Sequence, residues 1–148
     1  MTERDVVEVS VHIAATPETV FPYFTDPARY VLWMGREAEL NAVPGGAYRV
    51  RMRDEVEAGG EFVEVDPPRK VVFTWGWIGD RSVPPGSTRV VVTLEPEAGG
   101  TRVVLRHHGL PDAQQRQHHI AGWEAYLGRL VARVAGQDPG PDPNADSG

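Results

Sequence analysis

The stretch DAQQRQHHIAGWEAYLGRLVARV, residues 112–134, decides how the rest of the chain is read. Ile120, Trp123, Leu127, Leu130 and Val134 recur at intervals of three and four, the spacing that places side chains on one face of an α-helix. Asp112 is positioned to cap its start. The pattern predicts one long amphipathic helix. Gly122, in its middle, costs about 1 kcal/mol of helix propensity and points to close approach of another element, or else to an open face; Gly128 makes the same point more weakly. His118 and His119 are about 100° apart around such a helix, so they do not both face inward. His119 lies one turn before Trp123 and two before Tyr126 and flanks the apolar stripe, while His118 faces water. Positions 122 and 123 are Gly and Trp, so the i, i+4 histidine spacing of a helical metal site is missing. The pair is expected at the rim of a groove.

Upstream, the hydrophobic period changes from helical to two. VVEVSVHI (6–13) sets Val7, Val9, Val11 and Ile13 against Glu8, Ser10 and His12, a half-buried strand with His12 outward. AYRVRM, with Tyr48, Val50 and Met52 inward, GGEFVEV (59–65) and KVVFTW, with Val71, Phe73 and Trp75 on one face, read as further strands. TRVVVTL and TRVVLRHH follow around a Gly-Gly hairpin and put Val90, Val92, Leu94, Val103, Leu105 and His107 on inward faces. Between the first two strands, Thr16-Pro17 and Asp26-Pro27 start two short helices, each with a cap and a proline where no N–H is needed.

The order is therefore strand, two short helices, five or six strands, one long helix. One helix does not cover a sheet of six or seven strands. The expectation is an α+β domain in which a strongly curved antiparallel sheet wraps around the C-terminal helix and leaves a hollow between them. The short helices and the loop GWIGDRSVPPGS (76–87) would close its ends; Trp77 and Ile78 in that loop are costly to leave in water. The domain is placed at 1–135. The tail, 136–148, rich in Gly, Pro and Asp, has almost nothing to bury and reads as disordered.

Candidate ligand-binding residues follow from the inward aromatics: Trp75, Trp77, Trp123, Trp33, Tyr48, Phe73 and Tyr126, with His107 and His119 as polar anchors. His107 shares a face with Val103 and Leu105, so it is a candidate general base as well as a core histidine. Glu64 shares a strand face with Phe62 unless a bulge near Gly59-Gly60 shifts the register, and an inward Glu64 would be a second acid–base candidate. His119 is the third. No nucleophile elbow, phosphate loop or dinucleotide fingerprint is present. No cofactor and no metal are indicated.

Composition bounds the rest. The chain has 148 residues, 41% hydrophobic and 24% charged, an ordinary globular balance. It has no cysteine, which removes disulfides and thiolate chemistry. Of 21 acidic residues, Asp138, Asp142 and Asp146 lie in the tail, which leaves 18 against 15 basic groups in the body. That balance attracts no phosphate backbone, and Arg49, Arg51 and Arg53 read as a solvated edge beside Glu55 and Glu57. MTERDVVEV carries charges throughout and no long apolar run, so neither a signal peptide nor membrane insertion is expected, and a cytoplasmic location is.

The pieces IAATPETVF (13–21) with DPARYVLW, PGGAYRVRM (44–52), GEFVEVDPPRKVVFTW (60–75), VPPGSTRVVVTLE (83–95), GGTRVVLRHHGL (99–110) and GWEAYLGRL (122–130) occur in one order along the chain. They resemble the START-like, helix-grip superfamily of polyketide cyclases and pollen allergens, in the branch similar to the C-terminal domain of the activator of the heat-shock-protein-90 ATPase. The resemblance implies the helix-grip fold and a pocket lined by inward strand faces, the 76–87 loop and the long helix. It carries over no universal catalytic residue. Three roles stay open: binding of a small hydrophobic molecule, a cyclase, dehydratase or hydrolase acting on an apolar carbonyl substrate, and a chaperone-partner-like interaction domain. The separate N-terminal domain of the true activator is not matched here, which weighs against a chaperone partner. Homodimer formation through the sheet edge or long helix is left open.

Overall fold

The computed structural model describes residues 6–140. β1 (Val7–Ile13) is followed by three single-turn helices, α1 (Pro17–Val20), α2 (Pro22–Thr25) and α3 (Pro27–Tyr30). Then come β2 (Glu37–Leu40), β3 (Ala47–Arg53), β4 (Val56–Asp66), β5 (Lys70–Trp75), β6 (Thr88–Glu97), β7 (Gly100–His108) and α4 (Ala113–Val134). The strands form one antiparallel sheet in the order β1-β7-β6-β5-β4-β3-β2.

Local chemistry explains most boundaries. Pro17, Pro22 and Pro27 each open a helical turn. Two short helices were expected; Pro22 makes them three, because it has no N–H with which to continue α1. Thr16 Oγ1 accepts from Thr19 N at 3.3 Å and Asp26 Oδ1 from Ala28 N at 3.0 Å. Asp112 Oδ1 accepts from Gln115 N at 2.8 Å and starts α4, one of the orphan donors of a helix N-terminus being met this way. α4 ends before Gly136, whose φ of +80° suits glycine. β2, with the sequence EAEL, carries no strand signal of its own and forms because β3 offers it an edge.

The inward faces run in register across the sheet. Val9, Leu105, Val92, Val71 and Val65 make one row; Val7, His107, Val90, Phe73 and Phe62 make the next. Nine of these ten are buried, Val65 being half-buried. On α4 the buried residues are His119, Trp123, Tyr126, Leu127 and Leu130. Ile120 and Val134 are only half-buried, so the buried stripe lies rotated toward His119 and Tyr126.

The expected strong curvature is overturned. The sheet is open, with β1 and β2 at its two edges, and it is not strongly curled around α4. α4 lies along β1, α1 approaches β6 and β7, and α3 approaches β2. A single helix covering the whole face would require the sheet to wrap around it. In the structure the short helices share that work: Tyr30 of α3 packs edge-on to Tyr48 at 5.9 Å, and Trp33 packs on Phe24 at 5.3 Å. A sheet covered in two pieces has no need to wrap.

The β4 register also differs from the expected one. Phe62 pairs with Phe73 but Glu64 with Val72, so the register shifts at Val63. The extra residue sends Phe62 and Glu64 to opposite faces. Phe62 is buried; Glu64 is exposed, 3.5 Å from Lys70 Nζ. Of the tail, residues 136–140 hold a turn and then no regular structure, and residues 141–148 lie outside the described residues. Among the described residues no helix is long and apolar enough to cross a membrane.

Candidate functional site

Between α4 and the 76–87 loop lies an open cleft of about 990 Å³. Trp75 at the end of β5, Trp77 and Ile78 on the loop, and Trp123 and Tyr126 on α4 line it. Ala121, Gly122 and Ala125 give its α4 side a low profile. A Cβ built on Gly122 meets nothing within 4 Å. The close approach that this glycine suggested is therefore absent, and Gly122 faces the open cleft. Charged side chains are also part of the lining: Arg53, Glu55 and Glu57 from the β3–β4 hairpin, Asp80 and Arg81 from the loop.

The loop is folded and pinned in place. Trp77 N donates to Val83 O at 2.7 Å, and Asp80 Oδ1 accepts from Ser82 N and Val83 N at 2.7 and 3.2 Å. Ile78 N donates to Glu57 O and Gly59 N to Gly76 O, both at 2.9 Å, which ties the loop to β4. A Cβ on Gly76 would lie 1.8 Å from Pro84 O. The loop closes over itself only because that side chain is missing. Trp77 is thereby set edge-on to Trp75 at 5.1 Å.

Behind the aromatic wall, the polar atoms form a continuous chain. Trp123 Nε1 donates to His107 Nδ1 at 3.1 Å. His107 Nδ1 is therefore the bare nitrogen, and Nε2 carries the proton, which it gives to Thr88 Oγ1 at 2.8 Å. Thr88 then donates to Trp75 O at 2.7 Å. The same logic holds for His119: Trp77 Nε1 donates to its Nε2 at 3.3 Å, and its Nδ1–H donates to Gln115 O at 2.8 Å. Both imidazoles are neutral and have both nitrogens engaged. Burial pushes His107 down to about 3, with the neighbouring His119 and His108 adding to the effect. Burial likewise lowers His119.

The structure brings together Trp75, Trp77, His119, Trp123 and Tyr126 at the cleft, with His107 immediately behind them. Trp33, Tyr48 and Phe73 lie in the packed core outside the lining. Trp33 Nε1 donates to Tyr23 O, Tyr48 stacks on Phe73 at 4.1 Å, and the Tyr48 hydroxyl is hydrogen-bonded to that of Tyr30. Burial raises both tyrosines. Glu64 is on the wet face. Of the three acid–base candidates, none presents an unengaged group to the cleft. Arg49 and Arg51 pair with Glu57 at 2.5 and 3.7 Å, as a solvated edge does. Among the described residues no three His, Asp or Glu side chains are grouped to hold a metal ion.

Sequence reasoning missed Thr88, which links His107 to the Trp75 carbonyl, and the Ala121–Gly122–Ala125 side of α4. The helix period held the second signal: residues 121, 122 and 125 stand beside the buried stripe at 119, 123 and 126. Thr88 had none, because one threonine at a strand start looks like any other.

Solved structures match this architecture. An AHSA1-like protein from Rhizobium etli is 45% identical, with a TM-score of 0.73 over 93% of this chain and 86% of that one. DynU16, a protein of the dynemicin biosynthetic locus, is 26% identical with a TM-score of 0.80 over 90% of this chain, which spans only 49% of DynU16. A protein from Chromobacterium violaceum is 25% identical, with a TM-score of 0.78 over 94% of this chain and 99% of that one. No curated protein sequence matches. The model of the family described as Activator of Hsp90 ATPase homolog 1-like protein matches residues 14–135, from the end of β1 through α4. With the strand order, the long C-terminal helix and a relative 45% identical over nearly the whole chain, the chain belongs to that family, within the START-like superfamily.

Proposed function

We propose that this protein binds a small hydrophobic or aromatic molecule in the cleft between α4 and the 76–87 loop. The observation that carries this reading is the cleft's lining: Trp75, Trp77, Trp123 and Tyr126 around about 990 Å³. Small-molecule sites are concave, mostly apolar and roughly 300–1,000 Å³ in volume. Indole rings supply large, flat, rigid contact area for planar ligands. The hydrogen bonds of both histidines are spent on holding the wall, which favours retention of a ligand over proton transfer to it. The likeness of the fold to DynU16, a protein of the dynemicin biosynthetic locus, is in keeping with a small-molecule role. Of the acid–base candidates His107, Glu64 and His119, none offers an unengaged group to the cleft, which gives the enzyme reading no support from them.

The test is titration with Nile red, an uncharged dye whose emission rises in apolar surroundings, followed by displacement with uncharged aromatic competitors. Saturable one-site binding is expected in the wild type. Gly122→Leu, whose Cβ has open space around it, projects a side chain into the cleft and should abolish it while the protein stays folded. Unchanged binding by Gly122→Leu would place the dye elsewhere and remove the support for this site.

A further inference from the structure

The chain has four indole N–H donors. Three have built acceptors: Trp33 on Tyr23 O, Trp77 on His119 and Trp123 on His107. The fourth, Trp75 Nε1, is buried and has no partner, in a residue 1% exposed that also lines the cleft. Among the described residues the other buried side-chain polar atom without a partner is Thr93 Oγ1, on β6 and outside that lining.

The imidazole acceptors beside Trp75 are already committed, and the nearby hydroxyls are bonded elsewhere. Its ring neighbours are Tyr48, Trp77, His107, His119 and Trp123. His107 Nδ1 takes the Trp123 proton and His119 Nε2 the Trp77 proton. The Tyr48 hydroxyl is paired with Tyr30, and Thr88 is occupied by His107 and the Trp75 carbonyl. A buried indole donor of this kind is rare in native proteins and calls for a partner. Among the described residues no group accepts the Trp75 Nε1–H.

We propose that the ligand is a neutral, planar, apolar molecule bearing a carbonyl-type acceptor, and that Trp75 Nε1–H donates to that oxygen. The inference rests on the binding reading above and specifies its ligand class. A neutral acceptor is favoured over an anion because both flanking imidazoles are neutral, so the inner wall carries no positive charge to compensate one. Loss of the acceptor should be costly, since a buried donor then stays unmet.

Fluorenone and fluorene share one ring skeleton and differ by a carbonyl against a methylene. Their dissociation constants are measured by tryptophan quenching for wild type and Trp75→Phe. The wild-type preference for fluorenone, relative to that of Trp75→Phe, should be about five- to tenfold. An equal preference in the two proteins overturns the inference while leaving the cleft as a binding site. Binding of neither compound to the wild type overturns the binding reading as well. Should Trp75→Phe fail to fold, NMR of the wild type decides: the Trp75 indole proton moves downfield with fluorenone and not with fluorene, and an unmoved resonance overturns the inference.

Discussion

Acid should weaken this fold through His107, and by an amount the geometry sets. His107 is fully buried, its Nδ1 accepting from Trp123 and its Nε2–H donating to Thr88. Protonation would place a second hydrogen on Nδ1, against the Trp123 donor. Folding therefore holds the imidazole neutral, down to about 3 from an ordinary 6.5. The folded-state value is depressed for a basic group, so the unfolded chain binds the extra proton first. The stability carried by the neutral ring is complete above 6.5 and is lost progressively as pH falls from 6.5 toward about 3. Each pH unit in that window is worth about 1.4 kcal/mol, so about 2 kcal/mol is gone at about pH 5. His107→Gln keeps an acceptor for Trp123 and a donor for Thr88 but does not titrate. Urea unfolding of both proteins at neutral pH and at about pH 5 gives the comparison, read as the difference in pH slope rather than in absolute stability. His119, also lowered by burial, contributes the same sign to both proteins and cancels. The wild type should lose about 2 kcal/mol more than His107→Gln. Parallel slopes, or a His107 ring that titrates near 6.5 by NMR, would refute the reasoning.

Other substitutions test neighbouring links. Gly122→Ala adds a methyl that touches nothing and should raise stability by up to about 1 kcal/mol in thermal or urea unfolding; a loss would mean that α4 meets something there. Gly76→Ala forces a methyl onto Pro84 O and should cost about 2 kcal/mol and weaken dye binding, because the loop that carries Trp77 must shift; wild-type values for both would contradict the account of the loop. Thr88→Val leaves the His107 Nε2–H without an acceptor and should cost about 1–3 kcal/mol by urea unfolding, with Thr88→Ser restoring most of it. Equal stabilities of the Val and Ser variants would remove the hydroxyl from the account.

Much of the fold was legible because two periods, 2 and 3.6, are written clearly in the sequence. The inward rows on β5, β6 and β7 and the capped helix at Asp112 follow from local chemistry alone. Curvature is a different kind of quantity. It depends on which elements share the covering of a face, and the packing of Tyr30 of α3 against Tyr48 of β3 is not encoded in any local pattern. The bulge at Val63 was equally hidden: a one-residue shift in pairing leaves the alternation of FVEV intact and still moves Glu64 to the wet face. At the site, tryptophans announced themselves by size, but their assignment to core or cleft did not follow from size. Trp33 and Trp75 are both essentially unexposed, and only Trp75 borders the cleft. The roles of His107 and His119 turned on which atom donates to which, a matter of a few tenths of an ångström that only the folded arrangement fixes.

The most direct test of the central claim is a crystal structure of the protein soaked with a brominated phenanthrene, with data collected at the bromine absorption edge. The account predicts a dominant anomalous peak inside the cleft, bounded by Trp77, Trp123 and Gly122. Bromine sites confined to the outer sheet face or to lattice contacts, with the cleft unchanged at saturating compound, would contradict it.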